Sequence, residues 1–192
     1  LRTEDIVELI RSEGDRIATV MFGGVNYRTG QLLDMPEIVT AGHEAGAMVG
    51  FDLAHAAGNV PLHLHDWNVD FASWCSYKYL NCGPGAIAGA YIHERHASDP
   101  ELVRYGGWWG NNPDTRFNMH AETEFQPVPT ADSWQLSNPP ILSLAPMIAS
   151  LAIFDECGID NLRAKSRVLS GYLHYLLRER LPDTCEVITP SN

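Results

Sequence analysis

Lysine is almost missing from this chain of 192 residues: Lys78 and Lys165 stand against eleven arginines. Positive charge of either kind is scarce, 13 residues against 24 acidic ones, which leaves a net charge of −11. No run rich in Lys or Arg occurs, which argues against a nucleic-acid surface. The acidic balance favours a soluble, self-repelling surface and says little about substrate. Four cysteines (Cys75, Cys82, Cys157, Cys185) show no Cys-x-x-Cys pair and no regular framework. They read as reduced thiols of a cytoplasmic protein. No apolar run is long enough to span a membrane, and no basic-then-apolar start resembles a signal peptide. Internal repeats and low-complexity tracts are absent. The chain opens on Leu1 rather than Met and closes on Thr189-Pro-Ser-Asn192, after what reads as the start of a strand. Both ends are therefore expected to be cut from something longer.

What is present allows a substantial core, with 45% apolar and 9% aromatic residues. The length suits one domain, or one domain and part of another. Residues 3–13 read as a helix with Ile6, Leu9 and Ile10 on one face. Residues 17–22 read as a short buried strand, 23–30 as a loop, and 35–47 as a helix with Pro36 in its first turn. Strands are expected at 48–52, 69–73 and 86–92. This rhythm is that of an α/β domain with a largely parallel sheet flanked by helices. In such sheets ligands gather at the carboxyl ends of strands, where Asp52 and Lys78 both fall. Residues 97–140, rich in Gly, Asn, Pro and Trp, hold no sustained period, and Trp108 and Trp109 argue against disorder there. From Pro140 the pattern turns helical, first to Gly158. A second helix, capped by Asp160 and with Leu162, Leu169, Leu173, Leu176 and Leu177 inward, runs on to Pro182.

Lys165 needs only a solvated helix face. Lys78 stands between two tyrosines in Ser76-Tyr-Lys-Tyr79, just past a strand, where Arg would serve for charge alone. Of the two, only lysine has an amine able to lose its proton and condense with an aldehyde. The fitting aldehyde is pyridoxal phosphate, an electron sink as long as a carboxylate keeps its ring nitrogen protonated. Asp52, ending the preceding strand, is the candidate carboxylate, against the plain reading of a turn former. His55 follows by three, on the same side of a turn, and could stack on the ring, hold Asp52, or simply be a hydrogen-bonded loop histidine. Tyr77 could contact phosphate or relay protons, against ordinary aromatic packing; Tyr79 is assigned to packing. His63-Leu-His65-Asp66 could turn two imidazoles to one strand face, but no further ligand stands at suitable spacing, so no metal is expected. Trp108, in a Gly-hinged loop, offers an indole N–H, and Asn138, held extended before Pro139, offers a rigid polar contact.

Together these residues resemble the kynureninases, pyridoxal-phosphate enzymes of the aspartate-aminotransferase fold (fold type I). The resemblance rests on Phe51-Asp-Leu-Ala-His-Ala-Ala-Gly-Asn59, Leu64-His-Asp-Trp67, Val69-Asp-Phe71 and Trp74-Cys-Ser-Tyr-Lys-Tyr-Leu-Asn81. It continues through Gly107-Trp-Trp-Gly110, Thr115-Arg-Phe117, Ser137-Asn-Pro-Pro-Ile141 and Ile188-Thr-Pro-Ser-Asn192. It implies that residues 1–140 are part of the cofactor-binding large domain and that 141–192 carry connecting helices and the start of a small C-terminal domain. It implies that Lys78 carries the cofactor, Asp52 pairs with its ring nitrogen, His55 assists at the ring, Tyr77 and Trp108 contact the phosphate, and Asn138 lies at cofactor and substrate. Trp108 and Asn138 would come from a neighbouring subunit, so a homodimer with shared sites is implied. The implied reaction is hydrolysis of L-kynurenine, or its 3-hydroxy form, to an anthranilate and L-alanine, within tryptophan catabolism and towards NAD biosynthesis. Lys78 would act as base and Tyr77 as proton donor. Two departures stand out: Gly23 lies where the family usually has Ser or Thr, and Asn111 where His often follows. The family's N-terminal aromatic and C-terminal substrate-binding Arg are not among these residues, so the chain alone is not expected to hold a full site. The alternatives are an enzyme like the cysteine desulfurases and selenocysteine lyases, with the same fold and cofactor, and a truncated, non-catalytic folded module.

Overall fold

Short runs of β-branched and apolar residues alternate with amphipathic stretches, and strands and helices form where each falls. The computed structural model describes residues 1–182 and 184–190, leaving aside the side chain of Met119. Helix α1 (Thr3–Ser12) buries Ile6, Val7 and Ile10. It leads through a 3-10 turn to strand β1 (Thr19–Gly23). Helix α2 (Met35–Glu44) starts where the Asp34 carboxylate accepts the Glu37 N–H at 3.1 Å, with Pro36 in its first turn. Strands β2 (Met48–Asp52), β3 (Phe71–Cys75) and β4 (Ala88–Ile92) follow, then the single turn α3 (Glu94–Ala97).

The four strands form one sheet in chain order. β1, β2 and β3 run parallel, and β4 returns antiparallel to β3. Register sets Gly23 beside Asp52 and Asp52 beside Ser73, so the carboxyl ends of three strands share one edge. Val20, Val49, Phe51 and Ala72 alternate onto one face and join the core with Ile38 and Val39 of α2. β1, β3 and β4 each begin two residues later than the apolar runs suggest. Ahead of β3, residues 64–68 form a turn ending on Asn68 in left-handed geometry (φ 62°), which delays the strand.

Residues 97–140 hold two 3-10 turns (Arg116–Ala121 and Ala131–Trp134), are otherwise irregular, and are tied together from within. The Arg104 guanidinium lies 4.5 Å from the Trp134 ring centroid and donates to Ser133 Oγ at 2.8 Å. Helices α4 (Ile141–Cys157) and α5 (Ile159–Arg180) meet at 80° across Gly158. In α4 Ser150 alone is buried, and it donates to the Leu80 carbonyl. Asp160 lies inside the first turn of α5, where its charge suits the helix dipole, rather than capping it. Leu169 and Leu173, expected inward, are exposed, because no described element covers that side of α5. Lys165 is exposed as expected. Residues 184–190 form no strand, and Ser191 and Asn192 lie outside the described residues. No single helix among the described residues is long and apolar enough to cross a membrane.

One buried carboxylate fastens the amino-terminal edge of the sheet. Asp70, 2% exposed, accepts the Val49 N–H at 2.6 Å, His43 Nε2 at 2.8 Å and His96 Nε2 at 2.6 Å, and pairs with Arg95. Burial pushes its carboxyl up, but the bonds from His96, Val49, Arg95 and His43 more than offset this and hold it well below the usual carboxylate range. A folded value below the unfolded one means that Asp70 contributes full stability above its unfolded range, near pH ~4, and loses it as pH falls further. Asp70→Asn should therefore cost about 3 kcal/mol in denaturant unfolding at neutral pH. The gap between variant and wild type should narrow when the titration is repeated under acid, and a gap independent of pH would contradict this account.

Candidate functional site

Lys78 is held by the loop that follows β3. Ser76, fully buried, donates to the Ile87 carbonyl, and Cys82 N–H donates to the Ser76 carbonyl at 3.0 Å. Asn81 N–H closes on the Lys78 carbonyl at 3.1 Å. The loop is thus pinned at both ends and the half-buried Lys78 projects from it. Its Nζ lies 3.1 Å from His55 Nε2 and 5.8 Å from the Tyr77 ring centroid.

Asp52 and His55 come from the end of β2 and the turn after it. Asp52 Oδ1 accepts the Ala54 N–H at 2.8 Å, which starts the turn, while Oδ2 has no partner among the described residues. The turn carries His55 towards Lys78 and ends on Gly58 in left-handed geometry (φ 78°). A Cβ at Gly58 would stand 3.0 Å from the Tyr79 carbonyl carbon and 3.1 Å from Leu80 N, so only glycine lets the two loops touch. The His55 ring is flanked by Tyr79, edge-on at 6.2 Å, and by Tyr27, tilted at 6.3 Å.

At the carboxyl ends of β1 and β2 opens a cleft of about 260 Å³, walled by Phe22, Gly23, Val25, Tyr27, Asp52 and His55. A Cβ at Gly23 would meet only ordinary contacts, 3.5 Å from the Val25 carbonyl oxygen, so the missing side chain leaves room at the cleft floor. Pyridoxal phosphate suits this donor set: an accessible carboxylate, an amine, an imidazole and a phenol at one sheet edge beside a cleft.

The structure brings together Asp52, His55, Lys78 and, at the rim, the half-exposed Tyr77. It does not bring Trp108 or Asn138 to them. Trp108 packs against Phe117 at 5.5 Å and Trp109 at 6.2 Å, and Asn138 Oδ1 accepts from Ser137 Oγ at 3.2 Å. Asn111 is buried, and its Oδ1 accepts the Asn112 and Gln126 N–H groups. Tyr79, expected only to pack, borders His55. Tyr27 is a site residue that the sequence motifs miss, although its place in a glycine-rich loop directly after β1 puts it at the same edge as Asp52. His63 and His65 do not converge: they lie in and beside a turn, His63 against Trp67 at 5.6 Å and His65 stacked on His93 at 5.1 Å. Among the described residues no group of three or more His, Cys, Asp or Glu side chains has metal-ligating geometry.

A parallel sheet with an antiparallel last strand, and with Asp-x-x-His and a lysine gathered at its carboxyl edge, is the large-domain pattern of the pyridoxal-phosphate fold type I enzymes. The aminotransferase class-V profile matches residues 1–192, and the chain belongs to that family. It is 54% identical over 195 residues to a kynureninase of Flavobacterium psychrophilum, covering 100% of this chain and 45% of that one. Against a kynureninase of Koribacter versatilis it is 56% identical over 190 residues, covering 99% and 44%. The chain thus spans a little under half the length of the curated relatives it matches. Among solved structures, a cysteine desulfurase from Thermococcus onnurineus superposes with a TM-score of 0.69 at 18% identity, covering 93% of this chain and 42% of that one. An alanine–glyoxylate aminotransferase from Nostoc superposes with 0.67 at 20%, covering 93% and 45%. At these identities the two structures speak for the fold alone.

The contact at Gly58 gives a direct check on how the site is held. Gly58→Ala combines a left-handed alanine with the near-clash, so it should lower stability by about 1–2 kcal/mol. It should also raise the accessibility of Lys78 to an amine-modifying reagent, read by peptide mass spectrometry. Unchanged labelling would show that the turn does not position the lysine loop.

Proposed function

We propose that the whole protein hydrolyses L-kynurenine, or its 3-hydroxy form, to anthranilate or 3-hydroxyanthranilate and L-alanine, with pyridoxal phosphate carried on Lys78. One observation carries the reading: Lys78 Nζ lies 3.1 Å from His55 Nε2, at the same sheet edge as Asp52, in a chain 54% identical to a kynureninase. The free Oδ2 of Asp52 would hold the pyridine nitrogen protonated, and Tyr77 would reach the phosphate. Bound there, the cofactor supplies a sink for the electron pair left when the substrate's Cα proton departs. Lys78 would take that proton and return it. Water adds to the side-chain carbonyl, the bond to Cβ breaks, and Tyr77 donates a proton in the later steps. Such a reaction belongs to tryptophan catabolism, and its 3-hydroxy branch leads towards NAD.

We also propose a homodimer in which Trp108 and Asn138, turned to other partners within this chain, reach a neighbour's phosphate and substrate. The free state of Cys75, Cys82, Cys157 and Cys185 supports a reducing, cytoplasmic setting. We propose further that residues 1–140 belong to the large domain and that the helices from Ile141 lead into a smaller one.

Full-length protein should show the visible band of a lysine Schiff base and release fluorescent anthranilate from L-kynurenine. Lys78→Ala should lose the band and at least ~100-fold in kcat. Identical spectra for the two proteins would overturn the assignment of Lys78. Sulfide and alanine from cysteine, with no anthranilate from kynurenine, would overturn the assignment of substrate.

A further inference from the structure

Condensation with an aldehyde needs the lone pair of an amine, and lysine amines in water carry a proton at neutral pH. A base must remove that proton before Lys78 can hold anything. The partner of Lys78 Nζ is an imidazole, His55 Nε2 at 3.1 Å. A carboxylate there would stabilise the ammonium form, whereas an imidazole accepts its proton and can hand it back near neutrality.

We propose that His55 is the acid–base catalyst that loads the cofactor onto Lys78; this rests on the reading of Lys78 as the cofactor lysine. The proton moves from Nζ to Nε2. The freed lone pair forms the C–N bond to the aldehyde carbon, and the carbonyl π pair moves to oxygen. That oxygen takes a second proton from the nitrogen. His55 then returns its proton to the same oxygen, which leaves as water while the nitrogen pair closes the C=N bond. His55 ends neutral, so no further reactant is consumed.

The surroundings of His55 fit this work. The Asn59 side chain donates to the His55 carbonyl at 3.0 Å, fixing the turn. The groups that face the ring are Lys78 and Tyr79 from the lysine loop, Tyr27 from the segment after β1, and Asp52 across the cleft wall. Two phenols flank the ring, and Lys78 is its hydrogen-bonding neighbour. The donor–acceptor distance is already that of proton transfer.

The test uses full-length, cofactor-free protein mixed rapidly with pyridoxal phosphate, following growth of the visible band. His55→Gln should load at least tenfold more slowly than wild type. Imidazole added to His55→Ala should restore the rate in proportion to its concentration. Pyridoxamine phosphate, which cannot condense, separates binding from chemistry, and its affinity, read by fluorescence quenching, should fall by much less than the loading rate does. His55→Gln loading at the wild-type rate would overturn the proposal. So would slow loading matched by an equal loss of pyridoxamine phosphate affinity without imidazole rescue. Failure of the underlying reading looks different: Lys78→Ala would then develop the same band as wild type.

Discussion

The carboxylate of Asp70 is the interaction on which the geometry of the sheet rests. Its two oxygens gather a backbone N–H of β2, a histidine of α2, and a histidine and an arginine of α3. Four groups brought from distant parts of the chain converge on one buried anion, which fixes where β3 starts beside β2. Since β2 and β3 are parallel, fixing their starts also fixes where they end. The relative positions of Asp52 and of the loop bearing Lys78 are thus decided at the opposite edge of the sheet.

The two edges treat charge in opposite ways. At the amino edge Asp70 is saturated with donors, so its ionisation serves the fold. At the carboxyl edge Asp52 keeps one oxygen without a partner, and Lys78 faces an imidazole in place of an acid. Polar groups left incompletely paired at an accessible sheet edge are what a fold offers to a ligand. The glycine at position 23 extends this by leaving space rather than a hydroxyl at the floor of the cleft.

Much of this is legible in the amino-acid sequence. The run Met48–Asp52 is apolar and bounded, so it signals both the strand and the acid at its end, and the scarcity of lysine marks Lys78. Local signals fail where partners lie far apart along the chain. Asp70 meets His43 and Arg95 across 27 and 25 residues, and no periodicity reports that. The pattern of α5 shows an amphipathic helix correctly, but a stripe of leucines does not say which surface covers it, and Leu169 and Leu173 are bare here. Trp108 and Asn138 stand in recognisable motifs, yet a motif carries no coordinates, and within one chain both are engaged elsewhere. Tyr27 escapes notice because an aromatic in a loop gives no sign of what it will lean on.

Ser150 sits near the middle of α4 and grips the Leu80 carbonyl, two residues beyond Lys78. The rest of α4 is exposed or half-buried, so this hydrogen bond is its fastening to the lysine loop. One end of the helix emerges from the segment bearing Asn138, and the other turns through 80° into the 22 residues of α5. The loop that bears the amine and a helix some seventy residues further along the chain are thereby tied at a single hydroxyl.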